Sequence, residues 1–303
     1  ISVRTNGDFI KNSPLMHKLA ENNWDYAEPG ILYWDNINKN NLLSEYIKNG
    51  EFEYAGVNPC AEEPLPAGGS CLLGAINLSE FVLSPFTENA AFDIPEFKKA
   101  VRIAVRALND VLDEGLELHP LEIQRKTVSE WRQIGLGIMG FADMLIKMGI
   151  AYGSEESLRT IDEIGMAMNE AGLLASSELA EEKGSFDKFD PEWILDSEFM
   201  KHINENVAYT VIKKGLRNSQ LFTIAPTGTI STMLGVSGGV EPLFDVEYYR
   251  TTKSLHGEDV TYKVVTPIVE QCMKAKGVTE YPKEVQWSKT INPFNRVDVQ
   301  AQW

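Results

Sequence analysis

From Ile94 to Glu114, the residues Phe97, Val101, Ala104, Val105, Leu108, Val111 and Leu112 recur at the three- and four-residue spacing of one helical face. This predicts a long amphipathic helix whose apolar stripe must be covered by another layer. A second long helix is predicted from about Glu156 to Glu182, with Gly184 as its stop signal. Short continuous apolar runs lie on either side of these helices. Cys71 to Leu78 reads as a strand covered on both faces, and Leu221-Phe222-Thr223-Ile224-Ala225 as another short buried strand. The glycine-broken segment Gln133 to Gly140 reads as a strand and turn leading into a helix from Phe141 to Met148. Strands alternating with long helices restrict the chain to an α/β sheet or barrel, and the alternation by itself does not separate the two.

At 303 residues the chain has room for one large α/β domain or two small ones. Residues 1 to 56 are polar and irregular, with a short helix expected near Pro14 to Asn22. The Glu28-Pro29-Gly30 turn is expected to lead into a strand over Ile31 to Asp35. Residues 57 to 70 hold three prolines and two glycines and are predicted to be a loop. The chain opens on Ile1, and Asn292 to Trp303 reads as a helix start cut short after a turn, so a fragment of a longer protein is expected.

A formal net charge of −16 argues against a nucleic-acid binder, which needs clustered Lys and Arg to neutralise the backbone. It leaves open an anionic small molecule held by backbone amides. No apolar run approaches the roughly 18 to 20 residues of a membrane-spanning helix, and no basic-then-apolar leader opens the chain, so no membrane partner and a cytoplasmic location are expected. Three cysteines do not make a secretory disulfide framework, and in a reducing compartment any pairing among them would be catalytic and transient. Cys272 falls within an amphipathic helical pattern and reads as a core thiol. His17, His119, His202 and His256 share no ligand spacing, no metal site is expected, and no hydrolase elbow is present.

Two segments carry the chemistry. In Asn58-Pro59-Cys60-Ala61-Glu62 an extended backbone would point the side chains of Asn58, Cys60 and Glu62 to one side, joining an amide, a thiol and a carboxylate on one ligand. Taken alone, the pentapeptide fits equally a turn with a buried cysteine and two solvated polar residues. In Pro226-Thr227-Gly228-Thr229-Ile230-Ser231 a strand ends and a helix begins, so the glycine, the hydroxyls and the outward amides would suit a phosphate, although an ordinary capped turn reads the same way. Gly135, Gly137 and Gly140 lack the spacing and acidic partner of a dinucleotide fingerprint and are expected to let a helix pack close to a strand.

Asn58-Pro59-Cys60-Ala61-Glu62, Ser70-Cys71-Leu72-Leu73-Gly74-Ala75-Ile76-Asn77-Leu78, Gly135 to Asp143 and Ala225 to Ser231 occur in one order across most of the chain. Together they resemble the catalytic subunit of ribonucleotide reductase. The short Cys60 to Cys71 loop and the Pro-Thr-Gly-Thr-Ile-Ser form are most similar to the adenosylcobalamin-dependent class. The resemblance implies a partial ten-stranded α/β barrel, with residues 57–70 as a finger loop through its centre and residues 71–303 as a C-terminally truncated second half-barrel.

It also implies roles. Cys60 would become a thiyl radical through the 5′-deoxyadenosyl radical and take the 3′ hydrogen of the ribose. Glu62 would act as base toward the 3′-hydroxyl, and Asn58 would hydrogen-bond the sugar. Cys71 would be one of two thiols that supply reducing equivalents, ending as half of a disulfide. Pro226, Thr227, Gly228, Thr229, Ile230 and Ser231 would hold the substrate phosphates. The implied partners are a ribonucleotide and a thioredoxin- or glutaredoxin-type reductant, and a homodimer is compatible with the resemblance. Adenosylcobalamin would be bound mainly by parts outside this chain. The family's second reductant cysteine has no counterpart here, since Cys272 falls late and in a helix, so the segment alone is expected not to turn over. Two other readings stay open: a large subunit fed by a separate radical-generating subunit, and a non-catalytic nucleotide-binding module whose cysteines merely pack.

Overall fold

The computed structural model describes residues 13–252 and 257–303, and His256 lies outside them. The chain divides into two units, Ile1–Ile37 and Asn38–Trp303. In the first, helix α1 (Pro14–Tyr26) starts because Pro14 suits a first turn and the Ser13 hydroxyl accepts from the Leu15 amide at 3.2 Å. The strand predicted over residues 31–35 is not formed. Residues 31–33 lack regular structure, and a helix, α2 (Trp34–Lys39), begins at Trp34. A strand needs a neighbour for its backbone groups. Among the described residues no strand pairs with this segment, and Ile31, Leu32 and Tyr33 are exposed.

In the second unit a short helix, α3 (Ser44–Lys48), precedes a two-stranded antiparallel hairpin of β1 (Gly56–Val57) and β2 (Pro64–Leu65). The prolines therefore do not keep residues 57–70 wholly irregular. Pro64 is tolerated because it sits in a two-residue strand paired on one side only, where its missing N–H costs nothing.

Next come β3 (Leu73–Asn77), a small antiparallel pair of β4 (Val82–Leu83) and β5 (Ala91–Phe92), and helix α4 (Ile94–Gly115). Asp93 caps α4, and Phe97, Val101, Val105, Leu108 and Leu112 are its buried face, whereas Val111 is exposed. Helix α5 (Glu122–Trp131) leads into β6 (Gly135–Met139), and helix α6 (Phe141–Met148) follows at once through left-handed Gly140. Strand β6 pairs parallel to β3, with Leu73 opposite Gly135 and Asn77 opposite Met139. Its other edge takes residues 221–223: the Leu136 amide donates to the Leu221 carbonyl at 2.9 Å, and the Thr223 amide to the Leu136 carbonyl at 3.2 Å.

These three parallel segments explain a difference in burial. Strand β6 lies between two neighbours and is buried throughout. Strand β3 has β6 on one side only among the described residues, so it is half-exposed, not covered on both faces as its apolar run predicts. Parallel neighbours need long crossovers. Here the second one runs through helices α7 (Glu155–Lys183), α8 (Pro191–Asp196) and α9 (Glu205–Lys214).

Helices α4 and α7 pack together and share a ladder of ion pairs: Lys98 to Glu170 at 2.8 Å, Arg102 to Glu178 at 2.6 Å and Arg106 to Glu182 at 2.7 Å. Both members advance along their helices together, so α4 and α7 run in the same direction. Each rung is partly exposed and screened by solvent, so the apolar stripe holds the pair and the ladder aligns it. An aromatic cluster of Tyr46, Phe52, Trp131 and Phe186 forms a second part of the core, with Phe52 and Trp131 ring centres 4.6 Å apart.

After residues 221–225 come helix α10 (Gly228–Leu234), an antiparallel hairpin of β7 (Glu247–Thr252) and β8 (Val260–Val265), and helices α11 (Pro267–Lys276) and α12 (Pro293–Gln302). Cys272 is fully buried on α11, as its helical pattern predicts. No helix among the described residues is long and apolar enough to cross a membrane.

Candidate active site

The β1–β2 hairpin makes the first half of the site. Its turn is closed by backbone bonds from the Asn58 amide to the Glu63 carbonyl at 3.3 Å and from the Ala61 amide to the Asn58 carbonyl at 2.9 Å. Ala61 lies in the left-handed region, with φ 66°. The backbone is thus folded and not extended, and the alternation expected to align Asn58, Cys60 and Glu62 does not apply. Asn58 Oδ1 accepts from the Glu63 amide at 3.0 Å, and its Nδ2 faces Cys71 Sγ at 3.9 Å. Cys60 is exposed in the turn. The Glu62 carbonyl accepts from Thr223 Oγ1, while Glu62 Oε2 is buried without a partner.

The group that touches Cys71 is Glu63, which the sequence reading passed over. Its Oε2 accepts from Cys71 Sγ at 2.8 Å, and the residue is fully buried. Burial pushes the Glu63 carboxyl up to about 7; the Cys71 bond opposes that rise and the charge of Glu62 adds to it. Cys71 is exposed as a residue, yet its sulfur reaches inward. Burial of that sulfur, the bond to Glu63 and the charges of Glu63, Glu62 and Cys60 push the thiol up to about 12. Tyr54, buried just ahead of β1, is raised by burial and then by the charge of Glu63. Cys60, Cys71 and Cys272 are all free thiols.

Glycines let the turn approach the sheet. A Cβ on Gly135 would stand 2.4 Å from Thr223 Cγ2 and 3.2 Å from Glu63 Oε2, and one on Gly137 would stand 2.3 Å from the Thr223 carbonyl. A Cβ on Gly140 would meet Asn77 Oδ1 at 2.1 Å. The three glycines therefore make room for the neighbouring strand segment and for Asn77, where the sequence reading expected a helix. Thr223 was also missed, although a hydroxyl within an apolar run is a signal. Tyr54 carried none.

The second half of the site is the loop before α10. Thr227 adopts φ 52° at the head of that helix, no side chain caps it, and Gly228, Thr229 and Ile230 are exposed. Ser231 is buried, and its amide donates to the Thr227 carbonyl at 2.8 Å. The loop is braced from behind. Gly239 N donates to Thr227 Oγ1 at 3.0 Å, and a Cβ on Gly238 would stand 2.6 Å from the Pro226 carbonyl. Ser237 anchors this brace to α6: its amide donates to Asp143 Oδ2 at 2.7 Å, and its hydroxyl accepts from the Ala142 amide at 3.1 Å. The two halves are joined by the chain from Thr223 to Pro226. Among the described residues no group of three or more His, Cys, Asp or Glu is placed to hold a metal ion.

Comparison with known proteins gives a consistent result. The ribonucleotide reductase barrel domain matches residues 4–301. A vitamin B12-dependent ribonucleoside-diphosphate reductase of Thermoplasma acidophilum is 36% identical over 287 residues, covering 94% of this chain and 33% of that protein. One from Mycobacterium tuberculosis is 33% identical over 76% of this chain and 29% of its own length. The ribonucleoside-diphosphate reductase subunit alpha of Chlamydia pneumoniae is 34% identical, covering 81% of this chain and 25% of that protein. The chain thus spans about a third or less of the length of these relatives. The class Id ribonucleotide reductase alpha subunit of Actinobacillus ureae shares the fold with a TM-score of 0.68, at 22% identity over 95% of this chain and 52% of that one. With a matching domain over nearly its whole length and these relatives, the chain belongs to the ribonucleotide reductase barrel-domain family.

Proposed function

We infer that the protein carrying this chain reduces ribonucleotides to deoxyribonucleotides by thiyl-radical chemistry. The observation that carries this reading is the turn over residues 58–63, which leaves Cys60 exposed while setting Asn58 and Glu63 against the Cys71 thiol. Cys60 carries the radical and takes the 3′ hydrogen. Glu62, with a buried oxygen that lacks a partner, is the base toward the 3′-hydroxyl. Asn58 orients the sugar from the base of the turn. Cys71 and a second thiol from outside this chain supply two electrons as the 2′-hydroxyl leaves as water, and a thioredoxin- or glutaredoxin-type dithiol restores them. A closed site is needed because water and stray thiols would quench the radical.

The loop from Pro226 to Ser231 is assigned to the substrate phosphates. The uncapped amides at the head of α10, with exposed Gly228 and Thr229, support this, and buried Ser231 holds the loop in shape. The parallel segments at β3, β6 and 221–223 support reading residues 57–70 as a finger loop and 71–303 as half of a barrel. Three unpaired cysteines favour a reducing compartment such as the cytoplasm.

The names of the relatives in Thermoplasma and Mycobacterium support dependence on cobalamin. Cobalamin carries its cobalt in its own corrin ring and needs no cluster of protein ligands; its binding is assigned to parts of the protein outside this chain, so this chain's part begins at Cys60. A second reading, an alpha subunit served by a separate radical-generating protein, is favoured by the Chlamydia relative's name.

In the full-length protein, Cys60→Ser should abolish both deoxyribonucleotide formation and tritium exchange from adenosylcobalamin. Retained product formation overturns the reading. Turnover of the unaltered protein with adenosylcobalamin and no second protein separates the two radical sources.

A further inference from the structure

Glu63 is given no step in the reaction inferred above, yet of the two side chains against Cys71 it makes the closer contact, Asn58 Nδ2 standing at 3.9 Å. Its Oε2 lies 2.8 Å from Cys71 Sγ, its other oxygen is buried without a partner, and the residue is fully buried. The titratable groups facing it are Cys71 ahead of β3, Glu62 beside it in the turn and Tyr54 ahead of β1, with Cys60 acting through Cys71. Among the described residues no Lys or Arg forms an ion pair with it. A buried carboxyl with a thiol on one oxygen, no cation and a free second oxygen is built to change protonation state and not to hold a charge.

We propose that Glu63 is the general acid and base for the Cys71 thiol, giving it a proton when its disulfide is reduced and accepting one when it is oxidised. This rests on Cys71 being a reductant thiol. Thiol–disulfide exchange depends on the leaving sulfur, and a thiol of high pKa leaves poorly as a bare thiolate. Cys71 is such a thiol, raised to about 12 at this site. Glu63, raised to about 7, is partly protonated at neutrality, where a carboxyl can serve both as donor and as acceptor.

The reductive step balances as follows. The thiolate of an incoming dithiol attacks the sulfur bonded to Cys71, and a new S–S bond forms between those two atoms. The bond to Cys71 Sγ breaks, its electron pair stays on Sγ, and Sγ takes the proton from Glu63 Oε2. Glu63 is left as a carboxylate accepting from the Cys71 thiol, which is the contact seen here. The dithiol's second sulfur then resolves the mixed disulfide and leaves as the oxidised reductant. Cys71's former partner and Glu63 each regain a proton from solvent.

The test uses the full-length protein, oxidised by turnover and then reduced with dithiothreitol. Recovery of the Cys71 thiol is followed by differential alkylation and mass spectrometry. Divided by the dithiothreitol thiolate concentration, the wild-type rate should fall about tenfold per pH unit once Glu63 loses its proton, which in the disulfide form happens above the value of about 7 because the lowering bond from the Cys71 thiol is absent. Glu63→Gln should be slower by about 100-fold near pH 6 and show no such fall, while Glu63→Asp should keep the fall at a lower rate. A Glu63→Gln profile identical to wild type overturns the proposal. If that variant does not fold, a flat wild-type profile overturns it equally. A wild-type Cys71 that never forms a reversible disulfide defeats the functional reading itself. A reversible disulfide reduced independently of Glu63 defeats this proposal alone.

Discussion

Gly137 faces the Thr223 carbonyl so closely that a Cβ there would stand 2.3 Å from it. The obstacle is backbone in a neighbouring parallel segment, which cannot swing aside as a side chain does. Gly137→Ala should therefore push residues 221–224 off β6 and destabilise the protein by ~3 kcal/mol, the upper part of the range for overpacking. A lowered urea midpoint with unchanged slope would show it.

Thr223 also ties the sheet to the turn over residues 58–63, because its hydroxyl donates to the Glu62 carbonyl. Thr223→Val keeps the shape and removes the donor, at a cost of about 1 kcal/mol. Faster hydrogen exchange is expected at the amides of Ala61 and Glu63, whose acceptors, the Asn58 carbonyl and Asn58 Oδ1, both belong to the turn. Exchange there at the wild-type rate would show that the turn holds itself.

Much of this architecture follows from periodicity. Helices Ile94–Gly115 and Glu155–Lys183, strand β6 and its direct passage into α6 all form where the apolar spacing and glycine stops place them. What the spacing missed depends on distant neighbours. The run after Cys71 is as apolar as a central strand, but its burial is decided by which segments pair with it. The pentapeptide from Asn58 to Glu62 reads as extended, with Asn58, Cys60 and Glu62 on one side, whereas Asn58 closes it into a turn and the following residue, Glu63, meets Cys71. The β7–β8 hairpin was also missed, although Glu247 to Thr252 and Val260 to Val265 are rich in the aromatic and β-branched residues that strands favour.

The raised carboxyl of Glu63 should appear in the pH dependence of stability. In the folded chain it titrates near 7, against an ordinary value of 4.5. The folded state therefore favours the protonated form. The stability this contributes is fully present below about 4.5 and is lost as pH rises through about 7, amounting to ~3 kcal/mol over the window. Glu63→Gln has no such term, so the wild type should lose stability relative to the variant between those limits. Parallel urea titrations of both proteins across this range would reveal a constant difference if the carboxyl is unperturbed.

The loop from Pro226 to Ser231 has its own support in Asp143, a buried side chain whose Oδ2 accepts from the Ser237 amide at 2.7 Å. Asp143→Ala strands that amide and should cost about 1–3 kcal/mol. The larger effect is expected at the Gly239 amide, bonded to Thr227 Oγ1, where hydrogen exchange should quicken as the brace loosens. On the functional reading, the Michaelis constant for the ribonucleotide should rise more than the turnover number falls. A variant with slow exchange at Gly239 and an unchanged Michaelis constant would separate Asp143 from the loop.

Arg132 ends α5 in the left-handed region, with φ 49°, and carries its guanidinium into the protein. There it donates to Asn109 Oδ1 at 2.9 Å and to Asp113, which also receives Lys183 at 3.1 Å and Arg217 at 3.4 Å. Burial alone would raise the Asp113 carboxyl, but the bonds from Lys183 and Arg132 outweigh it and hold the group below its ordinary value. A depressed carboxyl contributes stability that is present above its unfolded value and lost as pH falls through the folded one. Arg132→Met removes the buried cation and leaves Asn109 and part of Asp113 unanswered, so it should cost about 3–5 kcal/mol near neutrality. The cost should shrink in acid, because protonated Asp113 no longer needs the guanidinium. Denaturant unfolding at neutral and acidic pH tests both statements, and a cost that does not diminish in acid would place Arg132's contribution in its packing and not in its charge.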